Sequence, residues 1–180
     1  RTLESGALGA FRGRIVVSDG AGQGPARLPR GVVGIDLGTS HTALAFGECA
    51  PAAKPVALPI QQWVGGRRSA AQVLLPSVAY APLDIELAGI DASRWVIGEY
   101  ARIRSEETSG RGIVSAKSWL CHAGVDRLGK ILPWGPSAIA DADKLSPVEV
   151  SRRILVQAFA AVAERQPAIA LGELAIVITV

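Results

Sequence analysis

Methionine is absent from all 180 residues, cysteine occurs twice, and aromatic side chains make up only 5% of the chain. Scarce aromatics leave the core to aliphatic and alanine packing. At 49% hydrophobic residues there is enough of that to bury one domain, or part of a larger one. The two cysteines, Cys49 and Cys121, have neither C-x-x-C spacing nor the density of a disulfide scaffold. They are expected to be small buried or half-buried thiols in a reducing compartment. No apolar run approaches the roughly 20 residues of a membrane span, and the N-terminus lacks the apolar segment of a secretory signal. These absences point to a cytoplasmic protein without a membrane partner. Without methionine, Arg1 is no ordinary initiator, and a start further upstream is expected.

A surplus of one charge is confined to one end. Residues 1–30 carry five arginines (positions 1, 12, 14, 27 and 30) against Glu4 and Asp19, while residues 31–180 hold 14 basic and 14 acidic residues. The pI of about 9.2 therefore comes from a Gly- and Arg-rich leader, residues 1–30, which is expected to be disordered. The body offers no clustered basic face for nucleic acid.

What is present begins with "VVGIDLGTSHTALAF", residues 32–46. It reads as a strand, a turn of small residues and a second strand. Asp36 falls at the end of the first strand, where a carboxylate can face a site. Gly38 permits positive φ and close backbone approach. Turn amides together with the hydroxyls of Thr39 and Ser40 can form a donor-lined nest for an anion. A carboxylate beside that nest would repel a phosphate unless a cation lay between them, and Mg²⁺ suits a single carboxylate. Equally, the turn can be a tight hairpin whose polar side chains satisfy their own backbone. Neither GxxxxGK[ST] nor GxGxxG is present.

Further along, Val56–Trp63 reads as a short strand before a turn at Gly65-Gly66. "VLLPSVAYAP" (73–82), bounded by prolines, reads as an extended edge segment. "RWVIGEYARIRSEE" (94–107) reads as a strand, Gly98 and a helix start, and "GIVSAKSWLCHAGVD" (112–126) as another compact element. Ser146-Pro147-Val148-Glu149 is a capping box with proline at the first helical position. Val148, Leu155, Phe159 and Val162 give the helix a buried stripe, and Pro167 ends it. "LAIVITV" (174–180) reads as a buried central strand on which the chain stops, as the front part of a larger domain would.

"GIDLGTS" (34–40) resembles the first phosphate motif of the actin, hexokinase and heat-shock ATPase superfamily, and specifically of the 70-kDa heat-shock (DnaK-type) chaperones. "LLPSVAYAP" resembles that family's threonine-proline-serine strand, "VIGEYA" its valine-glycine-x-x-alanine segment, and "SAKSWL" the stretch carrying a catalytic lysine. "SPVEV" and "AIVITV" resemble its next helix and strand. The matches run in the family's order through residues 31–180 and exclude the leader. The resemblance implies an α/β fold of the actin-like ATPase (ribonuclease-H-like) type, here the first lobe and incomplete, with residues 65–145 as an inserted subdomain. It also implies ATP or ADP with Mg²⁺ as cofactors. Asp36 would hold Mg²⁺ through its waters, and Gly38, Thr39 and Ser40 would cradle phosphates. Lys117 would stabilise charge developing at the γ-phosphate. Unfolded client peptides, a J-domain co-chaperone and a nucleotide-exchange factor would be the partners.

Three departures qualify the resemblance. His41 replaces the usual asparagine, and "WLCH" (119–122) replaces a basic-leucine-isoleucine-glycine stretch. The second phosphate loop, the adenosine loop and the peptide-binding domain would all follow residue 180. Half a cleft is expected to be inactive alone, because catalysis needs an enclosed site. Cys121-His122 invites a metal site or a nucleophilic dyad, but nothing in the sequence completes either. A sugar kinase or filament ATPase of the same superfamily, or a short non-enzymatic interaction module, are the competing functions.

Overall fold

A computed structural model describes residues 28–66, 68–86 and 95–179. The leader through residue 27, Arg67, residues 87–94 and Val180 lie outside them, and with them the expectation of a disordered leader.

Alternating burial builds the central hairpin. Strands β1 (Gly31–Leu37) and β2 (His41–Glu48) pair antiparallel, with Val33 opposite Phe46, Ile35 opposite Leu44 and Leu37 opposite Thr42. Each of those residues is buried, so the pairs stack into one inward face. Asp36 has the opposite parity and lies exposed.

The expected strand over 56–63 divides between two sheets. Residues Val56–Ala57 form β3 beside β2, whereas Ile60–Gly65 form β4 and pair with β5 (Arg68–Gln72). Pro59 sits at the division, and with no N–H it cannot continue the ladder. The turn at Gly65-Gly66 has φ of +107° and +59°. Segment 73–82 divides too. Strand β6 (Leu74–Pro76) lies beside β2, but β7 (Ala79–Tyr80) is the middle strand of a separate sheet, between β8 (Val96–Ile97) and β9 (Gly112–Ile113). The edge expectation therefore fails for β7, whose alanine and tyrosine are fully buried.

Helix α1 (Glu99–Glu107) starts after Gly98, whose φ is +98°. The buried Gln62 side chain donates to the Leu74 carbonyl at 2.8 Å and accepts from the Glu99 amide at 3.0 Å. A Cβ on Gly98 would stand 2.7 Å from that Gln62 oxygen. The short α2 (Ala116–Leu120) rests against α3 (Pro147–Arg165).

In α3, Ser146 Oγ accepts from the Glu149 amide at 3.0 Å, and Gln166 closes the helix before Pro167. Only half of the capping box forms, because the Glu149 carboxylate turns to Arg152 and Arg153. The buried row is Val150, Ile154, Ala158, Phe159, Ala161 and Val162. Val148 is 39% exposed and Leu155 half-buried. Phe159 and Val162 are buried as expected, but the row runs through Val150 and Ile154 instead of Val148 and Leu155, and small Ala158 and Ala161 complete it.

Strand β10 (Leu174–Thr179) returns parallel to β1, with Leu174 beside Gly31 and Thr179 beside Asp36. The sheet runs β10-β1-β2-β3. Against expectation, β10 is the sheet's edge among the described residues, and Val177 is 53% exposed, because only β1 pairs with it. One hydrophobic cluster joins the main sheet (Val33, Ile35, Leu44) to the middle of the chain (Ile60, Leu75, Ile113, Leu132). Among the described residues no helix is long and apolar enough to cross a membrane. Both cysteines are exposed, contrary to expectation, because Cys49 follows the end of β2 and Cys121 the end of α2.

Candidate functional site

The β1–β2 hairpin brings Asp36, Gly38, Thr39 and Ser40 to one end of the sheet. Gly38 does not use positive φ there. Its missing side chain matters for space: a Cβ would meet the His41 carbonyl oxygen at 2.2 Å. Thr39 and Ser40 are exposed. No hydrogen bond with another described residue takes the amide of either.

Behind the turn stands Ser77, in the link between β6 and β7. Its hydroxyl donates to the Gly38 carbonyl at 2.9 Å and its amide to the Ser40 carbonyl at 2.8 Å. The buried Thr42 hydroxyl lies 3.0 Å from Ser77 Oγ. Sequence reasoning passed over both residues. A signal was available for Thr42, which shares the parity of Leu44 and Phe46 and so brings a hydroxyl inward where a partner is required.

Asp36 lies at the carboxyl end of β1, beside Thr179 at the carboxyl end of β10. Thr179 Oγ1 is 3.3 Å from Asp36 Oδ1 and 3.4 Å from the Ile35 carbonyl. The rest of the Asp36 carboxylate faces solvent. One exposed carboxylate among hydroxyls and amides fits a hydrated Mg²⁺ whose waters complete its shell. It does not fit an ion held wholly by protein. Among the described residues, no group of three or more His, Cys, Asp or Glu side chains could hold a metal.

Lys117 belongs to another element. It is half-buried on α2, which follows Ser115 in a left-handed conformation of φ +55°. No hydrogen bond or ion pair joins it to Asp36 or to the turn among the described residues. His41 is exposed at the start of β2. The bond from Arg102 is the main cause holding the Glu99 carboxyl below its ordinary value. Cys121 and His122 are both exposed. The His122 ring stacks on Trp119 at 5.6 Å, and Trp134 lies 4.9 Å from Trp119 on a tilted ring plane.

No protein-family model matches the chain, and no curated protein matches it significantly.

Proposed function

We propose that this chain supplies the phosphate-binding part of an ATP-hydrolysing domain of the actin-like, ribonuclease-H-like fold, in a cytoplasmic chaperone of the 70-kDa heat-shock type. One observation carries the reading. At the carboxyl ends of the parallel strands β1 and β10, an exposed carboxylate lies beside a turn in which no described residue takes the amides of Thr39 and Ser40. The chain leaves β1 toward β2 on one side and returns as β10 on the other.

Bound Mg·ATP brings the divalent charge and the transferable phosphoryl group. Asp36 would hold the metal's waters, and the amides and hydroxyls of Thr39 and Ser40 would bond phosphate oxygens. Lys117 would contribute a fixed positive charge, since phosphoryl transfer depends on positioning and electrostatics. Client peptides, a J-domain co-chaperone and a nucleotide-exchange factor are the partners this reading brings with it.

The test is a titration of ¹⁵N-labelled protein with ATP, with and without Mg²⁺. Saturable shifts at the amides of Thr39 and Ser40, strengthened by Mg²⁺, are expected. Asp36→Asn should remove most of the Mg²⁺ dependence, weakening Mg·ATP about tenfold with little loss of stability. Silence at the turn amides at millimolar Mg·ATP would favour a non-enzymatic interaction module.

A further inference from the structure

Among the described residues the buried polar side chains are Thr42, Gln62, Ser77, Ser146 and Ser151. Three serve the scaffold. Gln62 joins β6 to α1, Ser146 caps α3, and Ser151 bonds the Pro147 carbonyl within that helix. Thr42 and Ser77 do neither job; both stand behind the turn.

Proton counting fixes the direction of their bonds. The Gly38 carbonyl can only accept, so the one Ser77 hydroxyl proton points to it. Thr42 must then donate to Ser77 Oγ. With the Ser77 amide on the Ser40 carbonyl, a single residue draws two carbonyls of the turn inward.

Peptide planarity carries the consequence to the other side. A trans peptide points its C=O and the following N–H in opposite directions, and these peptides are trans. Drawing the carbonyls of Gly38 and Ser40 onto Ser77 therefore aims the N–H groups of Thr39 and His41 away from it. Removing the Ser77 hydroxyl frees the Gly38–Thr39 peptide to rotate, and a bound anion would then have to order it.

We propose that Ser77, with its hydroxyl oriented by Thr42, is the positioning residue that presents the Thr39 amide to a phosphate. The inference rests on the nucleotide reading above. It adds that the anion site depends on a residue 39 positions away in sequence from Gly38, touching no ligand.

Titration with Mg·ATP, followed through the ¹H–¹⁵N resonance of Thr39, tests it. Ser77→Ala should weaken Mg·ATP about tenfold and move the Thr39 amide resonance even in the free protein. Ser151→Ala controls for lost stability, because it also removes a buried serine hydroxyl but leaves the turn untouched. Its affinity should match the unmutated protein. Thr42→Val keeps the side chain's shape and should weaken binding two- to threefold, about half a kcal/mol. It decides the matter if Ser77→Ala does not fold. Unchanged affinity with an unmoved Thr39 resonance in the folding variant overturns the positioning role while leaving the nucleotide reading intact. Absence of saturable shifts in the unmutated protein overturns both.

Discussion

Two carboxylates close short segments of this chain, and they live in opposite surroundings. Glu86, in the 3-10 turn Asp84–Glu86, accepts from the Leu83 amide at 2.7 Å, Tyr80 at 2.9 Å, Tyr100 at 3.2 Å and the Arg104 guanidinium. Its side chain is only 9% exposed. Tyr100 stacks in turn on Trp63 at 3.6 Å. Among the described residues Asp36 has one long contact, from Thr179, and it lies exposed. Every lone pair of Glu86 is engaged by the fold, so it ties β7, the 3-10 turn and α1 together. Asp36 keeps acceptor capacity beside amides that no described residue takes, which leaves it available to a ligand. Unused hydrogen-bonding capacity at an exposed strand end separates a candidate site from a structural network.

The strongest way to break this comparison is Glu86→Ala. It leaves the Tyr80 and Tyr100 hydroxyls without their acceptor in a largely buried place and Arg104 with only Glu107 as a carboxylate partner among the described residues, which should cost about 3 kcal/mol in urea unfolding. Mg·ATP affinity of the folded protein should not change. A loss below about 1 kcal/mol would mean the network does not hold the fold. Acid sharpens the same contrast. Burial pushes the Glu86 carboxyl up, but the Leu83 amide, Tyr80 and Arg104 together hold it below its ordinary value. With the folded pKa lowered, its contribution is complete above the ordinary carboxylate range and is lost as pH falls through the lowered pKa. Stability should therefore drop on acidification, and Glu86→Gln should flatten that limb.

Next in size is Lys117, which has no tie to either carboxylate. In the protein as the cell makes it, Lys117→Ala should slow ATP turnover about 10²–10³-fold, the scale of one lost electrostatic contact in a transition state. Thermal unfolding should stay unchanged, since Lys117 forms no ion pair among the described residues. Unaltered turnover would leave Lys117 an ordinary half-buried surface residue and confine the site to the hairpin.

The hairpin was legible because local rules govern it: parity sets the buried face, and a run of small polar residues marks the turn. The start and end of α3 were equally readable, from Ser146, Pro147 and Pro167. Long-range pairing was not. Nothing local tells β3 from β4 except Pro59, and nothing in "VAYAP" announces that Ala79 and Tyr80 will lie between two strands from later in the chain. Edge or centre is a property of the partners, so the apolar run of β10 was read as central and sits at the edge of the described sheet. Within the site, residues that could touch a ligand carried a signature. Ser77 did not, because its role is set by a fold that returns it to the turn.

The smallest expected effect comes from Thr179. Its one hydroxyl proton is shared between the Ile35 carbonyl and Asp36 Oδ1, at 3.4 and 3.3 Å, both long for an O–H donor. A weak, divided bond orients Asp36 without occupying it. Thr179→Val should accordingly change stability by less than about 0.5 kcal/mol and weaken Mg·ATP no more than about twofold. The Mg²⁺ dependence of binding should survive, because the carboxylate remains. If Thr179→Val instead matches Asp36→Asn, Asp36 is held by its neighbour as firmly as Glu86 is held by its four donors. The turn would then belong with the closed networks of the molecule, and its open hydrogen-bonding groups would mark no ligand site.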